Sequence, residues 1–82
     1  MRVRPELEDA LGDWIRSQSR RAEVDGQPAW VTPLQPGDID GWLRSHGVIV
    51  SYSTMVVLFH RLGWLWSADI GAWYRPAALD DP

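Results

Sequence analysis

The sequence contains no cysteine, so disulfide bonds, thiolate metal sites and cysteine nucleophiles are excluded together. Lysine is also absent, and all eight basic residues are arginines. Genome composition alone can produce such a bias. Selection would produce it too, because a guanidinium group makes two-pronged contacts with phosphate or carboxylate that an ammonium group cannot make. The sequence leaves both explanations open.

Long apolar runs are missing as well. No uninterrupted apolar stretch approaches the roughly 18 residues that suggest a membrane-spanning helix. The start of the chain is acidic and does not have the pattern of a signal peptide. We therefore expect a chain without a membrane span, located in the cytoplasm.

Residue patterns that support catalysis, metal binding or cofactor binding are scarce. The two histidines, His46 and His60, lie on different predicted helices, and neither belongs to a His-x-x-x-His or Glu-x-x-His pair. There is no Gly-x-Ser-x-Gly nucleophile elbow, no phosphate-binding loop and no dinucleotide-binding fingerprint. We expect no bound metal, no cofactor and no enzymatic activity.

Tryptophan is abundant, with six residues in a chain of 82. A single domain over residues 1–82 buries only about 60–65% of its unfolded surface, and large aromatic side chains compensate for so small a core. A hydrophobic content of 45% with 23% charged residues is typical of a folded globular chain.

Two consecutive helices joined by a tight turn are predicted in the middle of the chain. The first covers residues 36–46, where Ile39, Trp42 and Leu43 fall on one face at i, i+3, i+4 spacing. Gly47 ends this helix, because glycine readily takes the left-handed conformation that closes a helix.

The second of these helices covers residues 51–62. Ser51 is a good N-cap, since its hydroxyl can accept a hydrogen bond from an N–H group of the first turn. Gly63 follows as the C-terminal stop, and the pair forms a helix-turn-helix. The apolar stripe of this helix has i, i+3, i+4, i+7 spacing and consists of Met55, Leu58, Phe59 and Leu62.

A first helix is predicted over residues 5–21, with an apolar stripe at helical spacing. Acidic residues occupy its first turn, while Arg16, Arg20 and Arg21 gather at its end. The helix dipole favours this order of charges, so it needs no ligand to explain it. The same three arginines could also contact a phosphate backbone.

Strands are predicted on both sides of the helix-turn-helix. Residues 23–28 form a polar loop with an Asp-Gly turn signal, and residues 29–32 form a short strand. Two aromatic-rich runs around a connection with Asp and Gly make residues 64–75 a β-hairpin. Residues 76–82 are expected to be an irregular tail.

The hairpin carries more large side chains than one face can bury. Alternation along a strand puts Trp64 and Trp66 on one face and splits Trp73 and Tyr74 between the two faces. At least one large side chain should therefore face away from the core. Such a residue suits a dimer contact or a partner surface.

A helix-turn-helix followed directly by a hairpin resembles the winged helix-turn-helix domains of bacterial and phage transcription regulators, over roughly residues 7–75. No specific family within that class is identified. The resemblance implies an α+β fold with three helices, a short strand and a C-terminal hairpin wing. Helix 51–62 would then be the recognition helix in the major groove of double-stranded DNA. The hairpin would approach the DNA backbone or the minor groove.

On this interpretation, the side of helix 51–62 opposite its apolar stripe contacts DNA. Hydroxyl groups can bond bases or phosphates, and arginine can bond guanine or phosphate. Two further arginines outside this helix would hold the DNA backbone. The candidate residues are Ser53, Thr54, Val56, Val57, His60 and Arg61 on the helix, with Arg44 and Arg75 as phosphate contacts. The other explanation, that this side is only a solvated helix face, stays open.

The charge distribution favours a second interpretation. The net charge is −3: residues 1–41 hold five arginines and eight acids, whereas residues 42–79 hold three arginines and one acid, before the two acids of the tail. The half expected to contact DNA is thus only mildly basic, and the pair Val56 and Val57 fits a protein partner at least as well. The alternative is an acidic winged-helix module that binds protein, such as an assembly adaptor or a phage-encoded inhibitor of a host or defence complex. A homodimer through the aromatic hairpin is a further hypothesis.

Overall fold

Three α-helices and a four-stranded antiparallel sheet form the fold in the computed structural model, which describes residues 3–80. The expectation of a small α+β domain is confirmed. The helices are α1 (Pro5–Ser17), α2 (Pro36–Ser45) and α3 (Tyr52–Arg61). The strands are β1 (Arg20–Val24), β2 (Gln27–Thr32), β3 (Leu65–Ser67) and β4 (Ala72–Pro76), and a 3-10 turn, Ala77–Asp80, follows β4.

The largest departure from the sequence prediction concerns residues 18–28. The sequence predicts a helix end and then a polar loop, but Arg20–Val24 form a strand that pairs with β2 as an antiparallel hairpin. The turn of this hairpin is only Asp25 and Gly26, both left-handed with φ of 54° and 76°. Two consecutive left-handed residues are typical of a type I′ turn, whose backbone twist matches that of the two flanking strands. The Asp-Gly signal therefore marks a hairpin turn.

Helix α1 ends four residues earlier than predicted because serine hydroxyls compete for its last carbonyl groups. The hydroxyl of Ser17 donates to the carbonyl oxygen of Trp14 at 2.7 Å, and that of Ser19 donates to the carbonyl oxygen of Ile15 at 2.6 Å. Such local side-chain bonds offer the backbone an alternative to continuing the helix. The chain can then enter β1, where its backbone groups pair with β2.

The sheet has the order β1-β2-β4-β3, so β4 is an inner strand and β1 and β3 are the two edges. Side chains alternate between the two faces along each strand. The pairs Thr32–Trp73 and Trp66–Trp73 lie on the face that packs against the helices. The opposite face carries a smaller buried cluster of Val24, Ala29 and Val31, with Ala22, Ala72 and Tyr74 packed against it.

The main core lies between the helices and the sheet. Its centre is Phe59 of α3, whose ring stacks on that of Trp73 with centroids 4.4 Å apart and planes at 6°. Most of the apolar faces predicted for α2 and α3 is buried here, as is the central part of the α1 stripe, while Trp42 and Leu62 are only half-buried. The buried members of this core are Leu11, Ile15, Ile39, Leu43, Met55, Leu58, Phe59, Trp64 and Trp73.

The predicted ends of α2 and α3 agree with the structure to within a residue. The hydroxyl of Ser51 accepts a hydrogen bond from the backbone N–H of Thr54 at 3.3 Å, as its N-cap role requires. Gly47 and Gly63 have φ of 77° and 91°. After Gly63, the N–H of Trp64 donates to the carbonyl oxygen of Phe59 at 2.9 Å, which reverses the chain in a Schellman turn.

The two hairpin tryptophans that follow this reversal differ in burial. Trp64 precedes β3 and is only 1% exposed, whereas Trp66 lies within β3 and is 49% exposed. Both nevertheless lie on the side of the sheet toward the helices, because Trp64 belongs to the main core and Trp66 pairs with Trp73, so the two differ in burial and not in face. The prediction that a large hairpin side chain faces away from the core is confirmed by Leu65, which pairs with Tyr74 on the opposite face of the sheet and is 41% exposed.

The C-terminal part is more regular than expected. Pro76 ends β4, and the 3-10 turn contacts β2 where an irregular tail is predicted. Residues 81 and 82 of that predicted tail lie outside the described residues. Of the helices between residues 3 and 80, none has the length and apolar character needed to cross a membrane.

Candidate interaction surfaces

The candidate residues of α3 lie around the side of the helix that faces away from the core. Met55, Leu58 and Phe59 fix the buried side. At 100° per residue, the directly opposite side carries Ser53, Val57 and His60, and all three are exposed. Arg61 is also exposed, whereas Thr54 and Val56 on the flanks are half-buried.

Each candidate arginine is bound within the chain. The Nη2 atom of Arg61 lies 3.2 Å from Oε2 of Glu8 on α1, and the Nε atom of Arg44 lies 3.0 Å from Oδ2 of Asp40 one turn earlier on α2. Arg75 is half-buried, and its Nε–H donates to the carbonyl oxygen of Leu62 at 2.9 Å. The ion pairs of Arg61 and Arg44 contribute little to stability. Each nevertheless places a carboxylate beside a guanidinium group that is predicted to contact phosphate.

A groove of about 300 Å³ lies between the start of α3, the start of α2 and the β3 edge of the sheet. The ring of Trp73 contacts that of Trp66 edge-on at 5.8 Å, and His60 meets Trp73 edge-on at 5.6 Å. The residues that line this aromatic groove are Gln35, Pro36, Tyr52, Val56, Trp66 and Trp73. No acidic residue and no arginine lines it.

Large apolar side chains around the aromatic groove are unusually exposed. Tyr52 is 66% exposed, Trp66 is 49% exposed, and Val57 on the free side of α3 is 53% exposed. Leu65 of β3, on the opposite face of the sheet, and Ile70 of the turn after β3 are exposed as well, but they do not line this groove. Clustered exposed apolar side chains of this size usually mark a binding surface.

The candidate set from sequence omits two residues that shape this groove. Trp66 is predicted as a hairpin aromatic, but its place beside α3 depends on the sheet register. Tyr52 could have been found from sequence. With Val56 and His60 it forms an i, i+4, i+8 row beside the buried stripe, so the apolar part of α3 is wider than burial in the core requires.

A second hollow, of about 590 Å³, lies between the start of α1 and the turn after α2. Its lining includes Arg4 and Glu6, which carry opposite charges, and His46. The ring of His46 stacks on Trp42 at 4.0 Å, and its Nδ1 atom lies 2.9 Å from the carbonyl oxygen of Trp42. His46 is thus held by its own helix. Within residues 3–80, no group of three or more His, Cys, Asp or Glu side chains is placed to hold a metal ion.

The chain was compared with protein families, with curated proteins and with solved structures, and none of them matches it.

Proposed function

We propose that the domain is a winged helix-turn-helix that binds a protein partner through the aromatic groove and the free side of α3. The order of elements supports the winged arrangement. β2, which precedes α2, pairs with β4, and β4 pairs with β3. The β3–β4 hairpin that follows α2 and α3 therefore joins the strand that precedes these two helices. β1 then extends this sheet by one further strand.

The exposure of Tyr52, Val57 and Trp66 is the observation that carries the proposal. Burial of their apolar surface against a partner would stabilise the complex by roughly 25 cal/mol per Å² removed from water. Aromatic residues in a shaped groove are also the side chains that most often dominate the energy of protein interfaces. Trp73 beneath them is held by its stack on Phe59, so the floor of the groove is preformed.

The chemistry of the lining selects an uncharged, apolar segment of the partner. A charged side chain buried in the aromatic groove would lose its hydration and would find no opposite charge in the lining. Tyrosine, tryptophan and glutamine side chains can instead donate hydrogen bonds to the backbone carbonyl groups of the bound segment. A proline-rich or aliphatic segment satisfies both conditions.

A photoreactive phenylalanine analogue at position 52 should cross-link the partner, which mass spectrometry would identify. The same analogue at position 79 is the control, because Leu79 is comparably exposed at 55% but does not line the groove. The identified partner, once purified, is titrated with wild type and with Trp66→Ser. We expect Trp66→Ser to weaken binding by about 2 kcal/mol, as the loss of an interface tryptophan does, and Leu79→Ser to leave it unchanged.

Two outcomes would contradict this assignment of the partner. Equal cross-linking from positions 52 and 79 would show that the groove is not the contact. A cross-link to a second copy of the chain, with a sedimenting dimer that Trp66→Ser dissociates, would instead support the homodimer through the hairpin.

DNA binding by α3 is the second candidate, because α3 has no acidic residue and its start carries the hydroxyl groups of Ser51, Ser53 and Thr54. Residues at the start of a recognition helix lie closest to the base edges. Against this stand the internal partners of the arginines and the wing turn, where Asp69 is the only charged residue.

Duplex DNA of mixed sequence, titrated across a salt series, separates the two candidates. A DNA-binding domain loses affinity linearly in log–log form as salt rises. Arg61→Ala should then cost about 1–3 kcal/mol if the guanidinium contacts a guanine, and Val57→Glu should abolish binding. If the ligand is a protein, Val57→Glu should strongly weaken its binding, whereas Arg61→Ala should change the affinity little. No DNA binding at low salt would remove this candidate.

A further inference from the structure

The hollow of about 590 Å³ between the start of α1 and the turn after α2 is walled by both apolar and polar side chains. Its volume is in the range of small-molecule sites, roughly 300–1,000 Å³. We call it the α1–α2 hollow. Its apolar walls are Leu7, Ala10 and Val48, and its polar side chains are Arg4, Glu6 and His46.

The two charged side chains of the α1–α2 hollow are opposite in sign and do not pair with each other. Neither Arg4 nor Glu6 is in an ion pair within residues 3–80, although one residue alone separates them along the chain. Both side chains are exposed. The hollow therefore presents a guanidinium group and a carboxylate group that are both open to a ligand.

His46 adds a hydrogen-bond acceptor whose identity is fixed by its neighbours. Its Nδ1 atom lies 2.9 Å from the carbonyl oxygen of Trp42 and 3.1 Å from Oγ of Ser45. The Ser45 hydroxyl already donates its proton to the same carbonyl oxygen at 2.6 Å. Since a carbonyl oxygen can only accept, Nδ1 carries the ring proton. Nε2 of the neutral ring is then the acceptor that the exposed His46 side chain offers.

Stacking holds this acceptor in place. The ring of His46 lies on that of Trp42 with centroids 4.0 Å apart, and Trp42 stacks on Trp14 of α1 with centroids 5.9 Å apart. The stack joins the two helices that form the hollow. Because the His46 ring is already ordered, little side-chain entropy is lost when a ligand binds.

We propose that the α1–α2 hollow binds a small apolar zwitterion, namely an α-amino acid with an aliphatic side chain. The guanidinium of Arg4 matches the carboxylate of the ligand, two oxygens at a time. The carboxylate of Glu6 and Nε2 of His46 accept hydrogen bonds from its ammonium group. The aliphatic side chain lies against the apolar walls and leaves water there.

The lining disfavours ligands that carry one charge. A phosphate or a simple carboxylate would be attracted by Arg4 and repelled by Glu6, and an amine would meet the reverse. A ligand with both charges satisfies both side chains at once. The apolar walls then favour an aliphatic body over a polar one.

Three probes with one branched aliphatic body test the charge requirement. Leucine carries both charged groups, isocaproate lacks the ammonium group, and isoamylamine lacks the carboxylate group. Each is titrated into the wild-type protein by calorimetry. The ¹⁵N resonances of the His46 ring, assigned by their loss in His46→Gln, report on Nε2. Leucine should bind about tenfold or more tightly than either other probe, since hydrogen bonds between charged groups are the strong ones.

Two variants of the hollow are matched by two variants of β1. Arg4→Gln should bring the affinity for leucine close to that for isoamylamine, and Glu6→Gln should bring it close to that for isocaproate. Arg20→Gln and Glu23→Gln remove the same charges from exposed positions outside the hollow, and they should change the affinity by less than about twofold. All four replace exposed side chains, so each should fold, which circular dichroism checks.

The His46 resonances give an independent readout. Leucine and isoamylamine should both move the Nε2 resonance, because both donate from an ammonium group, whereas isocaproate should leave it in place. An affinity for leucine no higher than that for a probe of one charge would overturn the proposal. Equal weakening by the β1 variants would also overturn it, since that would show a general charge effect without a site. So would the absence of heat and of a resonance shift with all three probes. None of these results depends on the aromatic groove.

Discussion

The two edges of the sheet differ in charge, in length and in what lies beside them. β1 is five residues long and presents Arg20, Arg21 and Glu23, which discourage pairing with another chain. β3 is three residues long and carries no charge, with Leu65 and Trp66 both exposed. The aromatic groove lies beside the uncharged edge. One small sheet thus has one edge protected by charged side chains and one edge that exposes apolar side chains.

Phe59→Ala should have the largest effect of the substitutions considered, because it removes the ring that supports the β3 side. Phe59 is fully buried and stacks on Trp73, the floor of the aromatic groove. We expect a loss of about 3–5 kcal/mol of unfolding free energy, measured by urea denaturation. A loss below about 1 kcal/mol would mean that the groove is not held by this stack.

The variants Gly26→Ala and Gly63→Ala compare two turns, the one that follows β1 and the one that precedes β3. At Gly63 an added Cβ would lie 2.9 Å from Cδ1 of Leu79 and 3.0 Å from Nε of Arg75, whereas at Gly26 it meets nothing within 4 Å. Gly26→Ala should cost about 1 kcal/mol through its φ alone, and Gly63→Ala about 2 kcal/mol or more. Equal shifts in thermal midpoint would show that the crowding at Gly63 relaxes without cost.

Ser51→Ala tests the start of α3, which carries one wall of the aromatic groove. The hydroxyl accepts from the N–H of Thr54, so its loss leaves a helix donor unpaired. We expect a cost of about 1 kcal/mol in chemical denaturation. Ser51→Asp, which keeps an acceptor, should restore most of it. A Ser51→Asp protein as unstable as Ser51→Ala would argue against the cap.

Arg61→Ala should have the smallest effect on stability. Its ion pair with Glu8 joins α3 to α1, with the Arg61 side chain 63% exposed and the Glu8 side chain 13% exposed. Such pairs contribute below about 1 kcal/mol, and salt weakens them further. Glu8→Ala should lower the unfolding free energy by the same amount as Arg61→Ala. The double variant should lose no more unfolding free energy than either single variant. Greater losses would mean that the pair fixes α3 against α1.

The sequence predicts the helical part of this fold well because its signals are local. The i, i+3, i+4 spacing of α2, the cap at Ser51 and the stops at Gly47 and Gly63 each act within a few residues. The residues of α3 that face away from the core follow directly from that periodicity. Of the six candidate residues on α3, four are exposed, whereas Thr54 and Val56 are half-buried on its flanks.

The β1 edge escaped prediction, and the β3 edge was predicted only as one strand of a hairpin without its neighbours, because these features depend on strand pairing. Arg20 and Arg21 of β1 follow Arg16 in a pattern that is typical of the end of a helix. They form a strand because their backbone pairs with β2. The groove requires Trp66 to lie opposite Trp73 and beside α3, and this position depends on the register of β3 and β4. Strand propensity depends strongly on such context, whereas helix signals depend on it less.

The position of β4 has a consequence for synthesis on the ribosome. β4 is the last of the four strands between residues 3 and 80, yet it lies between β2 and β3, with Pro76 opposite Ala29 and Trp73 opposite Thr32. The β1–β2 hairpin and all three helices therefore leave the exit tunnel before the strand that completes their core. Until β4 arrives, β2 has an open edge and Phe59 lacks its stacking partner. We therefore expect the nascent chain to stay protease-sensitive until β4 emerges, and then to fold in a single late step.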